Sequence, residues 1–162
     1  MSVGMKPRFT HWFFPLALAL TAMLGGCSKS PNQGAASGGH VHTAPHGGTL
    51  IEVGDHAYNL ELVRDAAAGK LTVYILDGHA ENFIRIAAAS IELVAITGGE
   101  RRPLTLQAVA NPATGETVGN TSQFEAQADW LKNAAEFPGT VSSIDIRGTK
   151  FNNIAIYMKR SN

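Results

Sequence analysis

From residue 49 to residue 158 the chain is a succession of short β-prone runs divided by turn residues, and this pattern most constrains its fold. Residues 49–53 are short and β-prone. Residues 56–64 place Tyr58, Leu60 and Leu62 on one face, as alternation along a strand requires. The loop 65–70, with Gly69 near its end, returns the chain into 71–76, rich in Val, Tyr and Ile, so these two runs predict a hairpin. Gly98-Gly99 between 91–97 and 103–110 is a two-residue hairpin signal. Gly148 between 141–147 and 151–158 predicts a third hairpin, with Ile144 and Ile146 facing one way in its first strand and Ile154, Ile156 and Met158 facing one way in its second. Residues 83–87 read as a further short strand, and 111–115 (NPATG) as a turn.

Only residues 129–135 (DWLKNAA) have helical character, enough for about two turns, with Trp130 and Leu131 available to pack on a sheet. Apolar residues make up 44% of the chain, enough for a real core. The expectation is an all-β domain over residues 46–162. It takes the form of a two-layer β-sandwich, loosely immunoglobulin-like, with one short helix in a crossover. The immunoglobulin pair of cysteines around a tryptophan is absent. The pattern does not reveal the strand order, and no internal repeat occurs.

The amino terminus is of a different kind. Lys6 and Arg8 precede an apolar run from Trp12 to Leu24, which ends in Leu24-Gly25-Gly26-Cys27. The run is shorter than the roughly 20 apolar residues of a stable membrane span, and the order is that of a signal peptide. Leucine, two small residues and cysteine resemble the lipobox of bacterial lipoproteins. The resemblance implies cleavage after residue 26, lipid on the sulfur of Cys27 and acylation of its new amino group, two signals that together give stable anchoring. Ser28, rather than an acidic residue, follows the cysteine. The resemblance therefore implies an outer-membrane anchor facing the periplasm. Cys27 is the only cysteine, so no disulfide, thiolate ligand or cysteine nucleophile remains.

Residues 28–45 (SKSPNQGAASGGHVHTAP) are small, polar and without apolar period. With Cys27 they read as a flexible tether, roughly 24 Å long as a coil. The 13 Lys and Arg include Lys6 and Arg8 of the leader, whereas all 13 Asp and Glu lie beyond it. The mature segment is thus mildly acidic, which argues against a nucleic-acid surface and against a polybasic membrane patch.

Beyond the leader there are five histidines, His40, His42, His46, His56 and His79. His40 and His42 point the same way in an extended backbone, and the glycine pairs 38–39 and 47–48 give the freedom to bring in His46. Neutral imidazole suits Zn²⁺, Cu²⁺ and Ni²⁺. His56 follows Asp55, and Asp77 precedes His79, so carboxylates are at hand to complete a shell or orient a ring. Met158 is the only methionine after the leader, which disfavours Cu(I). The alternative is that the histidines are incidental residues of a linker and of turns.

Three stretches then line up: Pro45-His46-Gly47-Gly48-Thr49-Leu50, the Leu60-Glu61-Leu62 strand, and Tyr74-Ile75-Leu76-Asp77-Gly78-His79. Together they resemble a bacterial envelope domain that opens on His-Gly-Gly and is found in small lipoproteins and ahead of the adaptor subunits of heavy-metal efflux systems. The resemblance covers residues 46–79. It implies a periplasmic all-β domain with a metal connection, whereas the helical hairpin and lipoyl-like segment of the adaptors are missing.

No serine-hydrolase elbow, zinc-protease helix or phosphate-cradling loop occurs, and no nucleophile–base pair can be assigned. The glutamates, among them Glu52, Glu61, Glu116 and Glu125, read as the solvated side of strands and loops. Trp130, Phe124, Phe137, Phe151 and Tyr157 read as core. The expectation is therefore a non-enzymatic, lipid-anchored envelope protein. Its histidines would bind a divalent transition metal in connection with metal homeostasis or efflux. The alternative is an envelope protein–protein interaction module.

Overall fold

The computed structural model describes residues 42–160; the leader, Cys27 and most of the tether, including His40, lie outside them. The described chain is all-β, as the alternating pattern predicts. Its eight strands are β1 (Thr49–Val53), β2 (Tyr58–Asp65), β3 (Lys70–Asp77), β4 (Ser90–Thr97), β5 (Glu100–Ala108), β6 (Gln123–Gln127), β7 (Phe137–Ile146) and β8 (Thr149–Met158). All pair antiparallel in one sheet of order β1-β2-β3-β6-β5-β4-β7-β8. Its two layers are the halves β1-β2-β3-β6 and β5-β4-β7-β8. They are joined by a short seam, Gln107↔Glu125 and Ala108↔Phe124, continued by the Val109 N–H on the Gln123 carbonyl at 2.9 Å. The outer edges also meet, where the Lys159 N–H donates to Thr49 Oγ1 at 3.1 Å. The sheet is therefore nearly closed on itself.

The three predicted hairpins are all present, as β2–β3, β4–β5 and β7–β8. Alternation sends Leu60, Leu62, Leu71, Val73 and Ile75 inward from one half, to meet Ile91, Leu93 and Leu106 from the other; β7 adds Val141, Ile144 and Ile146, its alternation shifting between Val141 and Ile144. Each such side chain, on leaving water, contributes about 1.5–3 kcal/mol. Phe124 and Phe137 are core, and Trp130 and Phe151 pack against it, but Tyr157 is half exposed on β8.

Three features depart from the sequence pattern. The helix is a single 3₁₀ turn, Asp129–Lys132, pinned to β2 where Arg64 Nη1 donates to the Leu131 carbonyl at 2.6 Å. Residues 83–87 make isolated bridges, Leu76↔Phe83 and Ile86↔Thr121, rather than a strand. β6 was not legible as a strand, because Gln123-Phe124-Glu125-Ala126-Gln127 offers a single large apolar side chain.

β2 and β3 are buried on both faces. Their inner face is the core; on their outer face Asn59, Glu61, Thr72 and Leu76 are also buried. The chain entering β1 lies over Glu61 and Tyr74, and the loop leaving β3 folds back so that Phe83 bridges Leu76. Both of these covering segments carry histidines.

Candidate metal centre

The segment entering β1 is held by Glu61. Ala44 to Gly47 form a turn closed by the Gly47 N–H on the Ala44 carbonyl at 3.1 Å, with Gly47 at φ +69°. Beyond it, Glu61 Oε1 accepts the N–H groups of His46 at 2.7 Å and Gly48 at 3.0 Å. Glu61 Oε2 pairs with His46 Nδ1 at 2.8 Å. The Glu61 side chain is 0% exposed. A buried carboxylate is tolerated when its oxygens are filled by donors in this way. Gly48 admits no side chain: a Cβ there would sit 2.5 Å from the Leu62 carbonyl oxygen. The His46 ring lies flat on Tyr74, with centroids 3.9 Å apart and planes 13° apart. Burial, with the Glu125 and Glu61 carboxylates nearby, pushes the Tyr74 hydroxyl above its ordinary pKa, so it stays protonated. The His-Gly-Gly, Leu-Glu-Leu and Tyr stretches are thus one hydrogen-bonded and stacked unit.

The loop after β3 is held as firmly. Asn59 Nδ2 donates to the carbonyls of Asp77 at 3.1 Å and Gly78 at 3.0 Å. A Cβ on Gly78 would collide with the His56 carbonyl oxygen. Asp77 turns its own carboxylate into the loop, accepting the Glu81 N–H at 2.9 Å and Asn82 Nδ2 at 2.6 Å. Burial pushes the Asp77 carboxyl up, but the hydrogen bonds from Asn82, Glu81 and His79 outweigh it and hold the group below the ordinary aspartate range.

These two supports bring His42 against His79, with ring centroids 5.6 Å apart and planes at 72°. Two imidazoles on one tetrahedral ion, each nitrogen about 2.0–2.1 Å from it, have centroids roughly 5.3 Å apart. The observed separation lies close to that value and also within the ordinary range of an edge-to-face ring contact. His79 is exposed and His42 half buried, so the pair is open to solvent.

The other histidines are placed elsewhere. His46 spends Nδ1 on Glu61. His56 stands in the β1–β2 turn at φ +65°, with Nδ1 2.9 Å from the exposed Glu52 carboxylate. The local cluster that spacing predicts around His46 is thus divided: His42 meets the distant His79, and His46 anchors the segment between. Among the described residues, no group of three or more His, Cys, Asp or Glu side chains is set to hold an ion.

Sequence reasoning missed Glu61 and Glu116, both read as solvated and both buried, at 0% and 6% exposure. Glu116 Oε1 accepts the Ser122 N–H at 2.9 Å and hydroxyl at 2.6 Å, and its Oε2 accepts the Thr114 hydroxyl at 2.7 Å. The glycine pair 47–48 was the available signal for Glu61, since close backbone approach leaves N–H groups in need of an acceptor. Among the described residues no helix is long and apolar enough to cross a membrane. No protein-family model, curated protein or solved structure matches the chain.

Proposed function

We propose that this protein is a non-enzymatic, lipid-anchored component of the bacterial envelope that binds a divalent transition metal, Zn²⁺, Cu²⁺ or Ni²⁺, for buffering or hand-over near an efflux system. The single observation that carries the reading is the approach of His42 to His79 at 5.6 Å. His40, two residues before His42, is the natural third ligand, and water fills the remainder. His46 and His56 serve as supports, each with Nδ1 on a carboxylate. Anchoring through Cys27 and an outer-membrane location facing the periplasm rest on the leader sequence. An open site with two or three imidazoles and a segment to order on binding has modest affinity, which suits release to a partner.

Calorimetric titration of the purified mature protein with each ion tests this. The expected result is a one-to-one site with a dissociation constant tighter than about 100 μM, lost in His42→Ala and His79→Ala and kept in His56→Ala. Millimolar binding, or binding indifferent to His42 and His79, overturns it. The second reading, a protein interaction module, is favoured by β8, a ten-residue strand at the sheet edge with Tyr157 exposed. Capture of an envelope partner that is lost on altering β8 and is indifferent to chelator supports that reading instead.

A further inference from the structure

Beside the His46–Tyr74 stack lies a cleft of about 260 Å³ that the metal reading does not use. It is lined by His46, Tyr74 and Phe83, by Gln123, which pairs with Tyr74 across β3 and β6, and by Asn111 and Glu116 of the 111–122 loop. Its volume falls just below the roughly 300 Å³ at which drug-sized pockets begin, so it suits a ligand of one ring.

The chemistry of the lining narrows the ligand. The Phe83 ring, 47% exposed, stands 5.6 Å from His46 and 6.0 Å from Tyr74, offering an apolar surface with no covering partner among the described residues. The lining also carries amide groups whose orientation is fixed by their neighbours. Asn111 Oδ1 accepts the Ala113 N–H at 3.1 Å, which leaves the Asn111 NH₂ as a donor. Gln123 Nε2 donates to Glu125 Oε1 at 2.9 Å, which leaves the Gln123 carbonyl as an acceptor. The Tyr74 hydroxyl, donor and acceptor at once, has no partner among the described residues. The carboxylates in and around the cleft are already engaged: Glu116 by the Ser122 and Thr114 donors with Arg85 Nε at 3.7 Å, Glu125 by Lys70 Nζ at 3.0 Å, and Glu61 by the His46 and Gly48 N–H groups. A charged ligand finds no counter-charge here. A neutral ring with an apolar C–H face and a rim of hydroxyls suits the exposed Phe83 ring and the free Asn111, Gln123 and Tyr74 groups.

We propose that this cleft is a binding site for a single neutral pyranose sugar. Its C–H face lies on Phe83, and its hydroxyls meet the Asn111 amide, the Gln123 carbonyl and the Tyr74 hydroxyl. The cleft's lining includes neither His42 nor His79.

Saturation-transfer NMR on the full mature protein, in a detergent without a sugar headgroup, tests this with glucose, galactose and N-acetylglucosamine, and with tetramethylammonium as the charged control. The expected result is saturable binding of at least one sugar with a dissociation constant on the order of 1 mM, as befits a ligand of about twelve non-hydrogen atoms. Transfer is strongest at the C–H groups of one ring face, and chelator has no effect. Phe83→Ala and Gln123→Ala each weaken binding at least fivefold, with Tyr157→Ser unchanged. Gln123→Ala, a replacement at a half-buried side chain, keeps the test decisive if Phe83→Ala does not fold. Absence of saturation by all three sugars at 20 mM, indifference to both variants, or binding of the cation in place of the sugars overturns the proposal.

Discussion

The wholly buried carboxylate of Glu61 holds His46 by two contacts, its backbone N–H and its Nδ1, and takes the N–H of Gly48 as a third. A lone ion in that position would cost several kcal/mol; filled by these donors, it becomes the point that fixes where the chain enters the sheet. His42 meets His79 because the turn at Ala44 and Gly47 and the anchor at Glu61 leave the segment little choice of path.

Removal of the Glu61 carboxylate therefore has both a structural and a functional consequence. Glu61→Ala strands two backbone N–H groups and one imidazole, and is expected to cost about 3 kcal/mol. Glu61→Gln keeps one acceptor and is expected to cost about 1–2 kcal/mol. Urea denaturation reads this as a fall in midpoint with an unchanged slope. The same variants should weaken metal binding although neither touches His42 or His79, since the segment is no longer aimed. Full stability in Glu61→Ala contradicts the anchor.

Gly78→Ala should be far more damaging than Gly98→Ala. Gly98 lies in an open hairpin turn at φ +58° with nothing near its missing Cβ, so only backbone strain of about 1 kcal/mol is expected. At Gly78 the new methyl meets the His56 carbonyl, a backbone atom that cannot swing aside, so the β1–β2 turn and the β3 loop must part. A loss of about 3 kcal/mol or more is expected. Thermal unfolding of the two variants side by side decides it; equal melting temperatures refute the argument.

How much of this was legible in the chain depended on the range of the interaction. Leu60, Leu62, Val73 and Ile75 announce themselves by alternation, and Gly98-Gly99 by turn chemistry, so the three hairpins were readable from local pattern. β6 was not, because Phe124 is its only large apolar residue and its place beside β3 is set by burial of that one ring. Glu61 and Glu116 were unreadable for a related reason. A glutamate in an alternating strand is solvated unless another segment covers that face, and the covering segments come from elsewhere in sequence. The His42–His79 pair is a tertiary contact that spacing cannot show, which is why spacing grouped His42 with His46.

If His42 and His79 share one ion, their effects on affinity cannot add. Either replacement alone should abolish chelation, so the double variant should bind no worse than each single one. His46→Ala should act differently, lowering stability first and affinity only through the loosened segment. Titration calorimetry of the two single variants and the double variant gives the answer. Two independent, additive losses would place the histidines in separate sites.

Acid should unfold the domain through its hydrogen-bonded carboxylates Glu116, Glu125 and Asp77. For Glu116, burial pushes the carboxyl up, but hydrogen bonds from Ser122 and Thr114, with Arg85 beyond, more than offset it and hold the group below the ordinary value of 4.5. Glu125 behaves alike, burial being outweighed by Lys70, Gln123 and Thr72. Asp77 is lowered from 3.8 by its loop hydrogen bonds. A carboxyl with a depressed folded pKa binds its proton more readily when unfolded. Its stabilisation is thus fully present above the unfolded value and is lost as pH falls through the folded one. Unfolding free energy should accordingly stay level down to about pH 5 and then drop steeply below about pH 4.5, with the Glu and Asp contributions lost in turn. Glu116→Gln should make that drop shallower while lowering stability at pH 7, because the amide keeps one acceptor and loses the charge. Measurement of the urea midpoint from pH 3 to pH 7 for the parent and Glu116→Gln tests both halves. Parallel curves would mean that Glu116 is not a source of the acid sensitivity.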